Sequence, residues 1–171
     1  PDVPLLPAIE ASDANLATTD QERPLLLLAE DNAELTAYLR YCLEDTFRIV
    51  TTKNGSEAWE VCRREVPDLL LTDVRMPGLS GLELARHVAD DPATDHIPVV
   101  MLTARTGPDA RLAGINAGAE AYLTKPFHRR ELLAVIDRLL TSRQKLRERY
   151  QQPGFSTAAG QPEPTDAFVL A

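Results

Sequence analysis

The chain has 171 residues, 44% of them hydrophobic and 26% charged, with 18 Lys and Arg against 26 Asp and Glu for a net charge of −8. That is the composition of a water-soluble globular domain with some chain to spare, large enough to bury a core without staples. The acidity excludes polyanion binding by bulk charge, two cysteines exclude a disulfide framework and fit a reducing compartment, and no apolar run approaches the ~18–20 residues of a membrane span.

Residues 1–23 hold Asp2, Glu10, Asp13, Asp20 and Glu22 against Arg23. They lack apolar periodicity and read as an acidic flexible linker. No basic n-region precedes an apolar stretch, so no signal peptide is expected. A chain opening on Pro1 rather than Met suggests a processed or excised fragment. From residue 24 the pattern alternates between two periods. Leu25-Leu-Leu-Leu-Ala29 is a continuous apolar run of strand length, followed by Leu35, Leu39, Cys42 and Leu43 at helical spacing. A second strand is expected at Phe47–Thr51, a turn at Asn54-Gly55, and a helix face at Ala58, Val61 and Cys62. The third run, Leu69–Thr72, precedes helical spacing at Leu82, Ala85 and Val88. The fourth, Val99–Leu102, precedes a short helix marked by Leu112 and Ile115, which Gly118 can close. A fifth strand, Ala121–Thr124, leads into a long helix carrying Leu132, Val135, Ile136 and Leu139.

Five strands alternating with five helices predict a doubly wound parallel α/β sheet with helices on both faces. Apolar runs without alternation fit strands buried on both sides. Ligands of such sheets sit at the carboxyl ends of the strands. Those ends carry Glu30-Asp31, Asp73, Thr103 and Lys125-Pro126. Each has an ordinary reading taken alone. Asp31 or Asn32 can cap a helix, Asp73 can serve a turn, and a lysine before proline can simply be solvated. Together they bring three carboxylates, a hydroxyl and an ammonium to one edge. Three adjacent acids repel unless a hard cation such as Mg²⁺ (or Mn²⁺) shares them, and that cation also takes a phosphate oxygen. The hydroxyl and ammonium supply donors for the other phosphoryl oxygens. Asp73 is then the natural nucleophile, forming an acyl phosphate.

These motifs resemble the receiver domain of bacterial two-component signalling. The stretches that carry the resemblance are Leu27-Leu-Ala-Glu-Asp-Asn32, Asp68-Leu-Leu-Leu-Thr-Asp-Val-Arg-Met-Pro-Gly-Leu-Ser-Gly81, Val99-Val-Met-Leu-Thr-Ala104 and Ala117-Gly-Ala-Glu-Ala-Tyr-Leu-Thr-Lys-Pro-Phe127. The resemblance spans about 24–141 and implies a (βα)5 flavodoxin-like fold with strand order 2-1-3-4-5. It implies Asp73 as phosphoacceptor, with Glu30, Asp31, Asp73 and the backbone carbonyl of Arg75 as metal ligands. Thr103 would bond the phosphoryl group and Lys125 would pair with it, while small Ala104 leaves the site open to the donor. Gly81 falls in the loop after Asp73, Lys125-Pro126 is expected cis, and Tyr122 matches an aromatic switch that moves inward as Thr103 shifts. Arg75 and Arg105 flank the site and either tune acyl-phosphate lifetime or are merely solvated. Cys42 and Cys62 read as buried packing on opposite sides of the sheet. His87, His96 and His128 show no ligand spacing.

Residues 142–171 read as a helical extension and linker toward a following output domain. The run Arg138–Tyr150 is similar to the segment that follows receivers in hybrid sensor histidine kinases, ahead of an AraC-type helix-turn-helix, and Asp166–Ala171 would open that domain. The implied partner is a sensor histidine kinase or phosphotransfer domain. A homodimer through the fourth helix, fifth strand and fifth helix, or through the C-terminal helix, is possible. DNA would be reached only through the output domain. The fragment is expected to be cytoplasmic and to make no membrane contact, though its parent could be membrane-anchored. Two competing readings remain: a phosphorylation-independent scaffold of the same fold, disfavoured because all five groups are present, and a Mg²⁺-dependent phosphatase, disfavoured because Arg75 stands where a second acid would be needed.

Overall fold

The computed structural model describes residues 20–104 and 107–151. Five strands, β1 (Leu25–Ala29), β2 (Arg48–Thr52), β3 (Leu69–Asp73), β4 (Val99–Thr103) and β5 (Ala121–Thr124), alternate with five helices. The helices are α1 (Ala33–Leu43), α2 (Gly55–Glu65), α3 (Gly81–Asp90), α4 (Pro108–Asn116) and α5 (Arg129–Gln151). The strands form one sheet in the order β2-β1-β3-β4-β5, and every neighbouring pair is parallel. This is the doubly wound parallel sheet that the alternation predicted, in the flavodoxin-like strand order that the family resemblance implied.

Successive strand residues point to opposite faces, which sorts each apolar run into two cores. Leu26, Leu28, Leu69, Leu71, Val100 and Leu102 pack with Leu39 and Leu43 of α1 and Leu132 and Ile136 of α5. Leu27, Leu70, Val99 and Met101 face the other way, onto Ala58 and Val61 of α2 and Leu84 and Val88 of α3. Cys42 belongs to the first core and Cys62 to the second, so the sheet separates two free thiols, as expected.

The starts of α1, α2 and α3 are fixed by side-chain caps. The Asn32 carboxamide accepts from the backbone N–H groups of Glu34 and Leu35. Ser80 and Glu83 form a reciprocal capping box at α3. Pro108 opens α4, and Gly118, at φ +99°, follows its end in a left-handed conformation suited to glycine.

Several local expectations shift. The second strand begins at Arg48, and Phe47 instead drops into the first core. Asn54 does not make a free turn: its side chain caps α2, and Gly55 is that helix's first residue. Gly81 is likewise the first residue of α3 rather than part of the preceding loop. Both glycines sit where backbone passes close by. A Cβ on Gly55 would lie 1.9 Å from the Leu79 carbonyl oxygen, and one on Gly81 would lie 2.0 Å from the Asp73 carbonyl oxygen. At the N-terminal side, Asp20–Glu22 form a 3₁₀ turn inside the stretch read as linker, and Arg23 pairs with Asp20 and donates to the Glu44 carbonyl. The last helix runs unbroken past residue 141 to Gln151. Arg105 and the Asp166–Ala171 segment lie outside the described residues. No helix among the described residues is long and apolar enough to cross a membrane.

Candidate phosphoacceptor site

The carboxyl ends of β1, β3, β4 and β5 bring together the residues singled out from the sequence. Glu30 follows β1 and is buried; its backbone N–H donates to the Thr52 carbonyl at 3.0 Å, which continues the β1–β2 ladder. Asp31 is the next residue and is exposed. Asp73 is the last residue of β3 and is half-buried. One carboxylate oxygen from each of Glu30, Asp31 and Asp73 lies within 4.8 Å of the others, an all-oxygen donor set suited to a hard divalent cation.

Lys125 reaches into this cluster from the end of β5. Its Nζ donates to Asp73 Oδ2 at 2.9 Å and to Glu30 Oε2 at 3.4 Å. The Lys125-Pro126 peptide is cis, as expected, and the Lys125 backbone N–H donates to the Thr103 carbonyl at 2.7 Å. The second oxygen of each acid is held by backbone: the Arg75 N–H donates to Asp73 Oδ1 at 3.3 Å, and the Asn32 N–H donates to Glu30 Oε1 at 3.1 Å. Burial pushes the Glu30 carboxyl up to about 7, the neighbouring Asp73 charge adds to this, and the Asn32 N–H and Lys125 oppose it. Glu30 thus holds a proton far more tightly than an ordinary glutamic acid until a cation arrives.

A cavity of about 700 Å³ opens over Asp73. Asp31, Arg75, Thr103, Ala104 and Lys125 line it together with Asp73, so the structure gathers the predicted residues in one place. Glu30 is buried beside these residues, its carboxylate within 4.8 Å of those of Asp31 and Asp73. Thr103 is buried at the tip of β4. Tyr122 is half-buried at the cavity edge, where its ring packs against Gly114 of α4; a Cβ there would lie 2.9 Å from two ring carbons. Sequence reasoning missed Gly114, because a glycine inside a helix signals a close approach without saying to what. It also missed the apolar part of the cavity, which includes Met76 and Leu82. Of the two cap candidates, Asn32 caps α1 with its side chain, while its backbone N–H donates to Glu30.

The profile of the response regulator receiver domain matches residues 26–137, and the chain belongs to that family. Among curated proteins it is 39% identical over 118 residues to the phosphate regulon transcriptional regulatory protein PhoB of Rhizobium meliloti, covering 68% of this chain and 52% of that protein. It is 33% identical over 142 residues to the sensor histidine kinase TmoS of Ectopseudomonas mendocina, covering 82% of this chain and 15% of that protein. The chain therefore spans about half of the first relative and far less of the second. Among solved structures, a putative response regulator from Chloroflexus aurantiacus matches with a TM-score of 0.67 and 32% identity, covering 70% of this chain and 98% of that one. The receiver domain of sensor histidine kinase PA1611 from Pseudomonas aeruginosa, with a magnesium ion coordinated in its active site cleft, matches with a TM-score of 0.66 and 28% identity, covering 70% of this chain and 98% of that one.

Proposed function

We propose that this chain is a phosphorylation switch in which Asp73 accepts a phosphoryl group from a phosphohistidine of a sensor kinase or phosphotransfer domain. The observation that carries the reading is the Lys125 ammonium, 2.9 Å from Asp73 Oδ2, beside three clustered carboxylates. An Asp73 carboxylate oxygen forms the new P–O bond, the P–N bond to the donor imidazole breaks, and the leaving imidazole nitrogen keeps the electron pair. Lys125 exchanges its contact with Asp73 for a phosphoryl oxygen, and the Thr103 hydroxyl, from the neighbouring strand tip in the cavity wall, would donate to another. Ala104 lines the cavity without bulk and leaves the donor a path.

The carboxylates of Glu30, Asp31 and Asp73, with the Arg75 carbonyl, would hold Mg²⁺ or Mn²⁺. That ion, when bound, neutralises the acids and the incoming phosphoryl charge. The Arg75 N–H contact to Asp73 Oδ1 keeps that backbone beside the acid.

The switch would run through Thr103 and Tyr122 to the face formed by α4, β5 and α5, where Leu112 and Ile115 are exposed. A change there alters a homodimer or a contact made by the extension of α5, and biases a two-state equilibrium in the attached output domain. We read residues 24–141 as the receiver, 1–23 as linker and 142–171 as the link to that output domain, in a hybrid sensor kinase with the receiver in the cytoplasm. A phosphorylation-independent scaffold would not need Lys125 and three acids converging on one point.

The test is intact mass after incubation with acetyl phosphate and Mg²⁺. The wild type gains one labile phosphoryl adduct and Asp73→Asn gains none, because an amide cannot form the acyl phosphate. Equal labelling of both, or no adduct on either, overturns the reading.

A further inference from the structure

At the end of the sheet opposite Asp73 lies a groove that the phosphoacceptor chemistry does not use. It encloses about 620 Å³ between the later turns of α5 and the loops that enter β1, β3 and β4. Two of the exposed large hydrophobic residues lie in it: Val66, 38% exposed, and Leu146, 46% exposed. Pro24 and Leu140 extend the same apolar lining. Val66 is also the described non-glycine residue with positive φ, at +46°. A β-branched side chain is costly in that conformation, yet here it turns an apolar group toward the groove.

The rim is basic. Arg143 and Arg147 line the groove from α5, within a stretch that carries Arg143, Lys145, Arg147 and Arg149 against Glu148. A second copy of this helix would present the same positive strip and repel it. An apolar segment bearing acids fits, and residues 1–19 are such a segment: they carry Asp2, Glu10 and Asp13 with no Lys or Arg, and Leu5, Leu6 and Ile9 between them.

We propose that residues 1–19 of this chain dock into the groove between α5 and the base of the sheet, apolar side chains on Val66 and Leu146 and acids on Arg147. Chain continuity supports this occupant. The segment joins the domain at Asp20–Glu22, and the bonds from Arg23 to Asp20 and to the Glu44 carbonyl hold it there, one residue before Pro24 in the groove wall. Nineteen residues span up to ~60 Å when extended, so every part of the groove is in reach. Residues 152–171 are a poorer match. They carry only Glu163 and Asp166, and α5 leads toward them away from Leu146 at ~1.5 Å per residue. Docking would tie the segment before the domain to the helix that leaves it.

The test places a nitroxide label on Ala8→Cys in the full chain; the native Cys42 and Cys62 are buried, and burial pushes the Cys62 thiol up to about 12. The expected result is paramagnetic broadening of the Val66, Asp68 and Leu146 amides that persists when labelled chain is diluted into unlabelled chain. It should fall at least threefold in Arg147→Glu, and equally in a variant with Asp2→Asn, Glu10→Gln and Asp13→Asn, which leaves the folded domain untouched. No broadening at the groove, broadening that disappears on dilution, or broadening only from a label at Ala159→Cys would overturn the proposal.

Discussion

Removing the charge from Glu30 tests how the acid cluster is held together. Glu30 is 2% exposed and its carboxyl titrates at about 7, against 4.5 for the free group. The raised value means that the folded state binds this proton more tightly than the unfolded state does. Glu30 therefore favours folding fully below pH ~4.5, and that contribution is lost as pH rises toward about 7. At about 1.4 kcal/mol for each tenfold change in affinity, the full difference is on the order of 3 kcal/mol. Stability depends on pH through more than one group, so the quantity to measure is a difference. Urea unfolding of wild type and Glu30→Gln, without metal, at several pH values from 4.5 to 8, isolates it. Glutamine keeps an oxygen for the Asn32 N–H and for Lys125 but cannot ionise. The wild type should lose roughly 2–3 kcal/mol relative to the variant between pH 4.5 and 8. Millimolar Mg²⁺ should flatten the wild-type curve, since a cation takes the place of the proton, and Mg²⁺ affinity should weaken up to about tenfold per pH unit below pH 7. Parallel pH profiles for the two proteins would show that burial of Glu30 does not raise its pKa, and would refute the electrostatic account of the site.

Three further substitutions probe the scaffold. Asn32→Ala removes the α1 cap and should lower stability by about 1 kcal/mol in chemical denaturation, with the intact-mass phosphorylation retained. Gly81→Ala drives a Cβ to within 2.0 Å of the Asp73 carbonyl oxygen; a loss of about 1–3 kcal/mol and slower acetyl phosphate labelling are expected, because α3 must retreat and drag the acceptor strand end. Gly114→Ala places a Cβ 2.9 Å from the Tyr122 ring, and should shift the Tyr122 ring resonances in the unphosphorylated protein while leaving Asp73 able to accept phosphate. Unchanged ring resonances would show that α4 yields instead of the ring.

The order of the strands' apolar runs was legible because a parallel strand covered on both sides must be apolar throughout. Leu25–Ala29 and Val99–Thr103 are buried at every position. The chemistry at their ends was legible for a related reason: Glu30, Asp73 and Lys125 stand where an apolar run stops, and the doubly wound topology sends all those stops to one edge. Boundaries set by contacts distant in sequence were not legible. Gly55 looks like half of an Asn-Gly turn until Leu79 is seen against it, and Gly81 looks like loop until the Asp73 carbonyl is. Phe47 reads as strand by composition and is used as core.

Periodicity within a dozen residues thus set the alternation of elements, the burial of the strands and the points where each apolar run stops at a charged or hydroxyl group. Packing between distant elements set the rest: Lys125 bridges Asp73 and Glu30, Glu30 is buried while Asp31 lines the cavity, and Tyr122 rests on Gly114. Those relations join residues up to 95 positions apart, and burial with its cost to a charged group exists only once the sheet has closed over them.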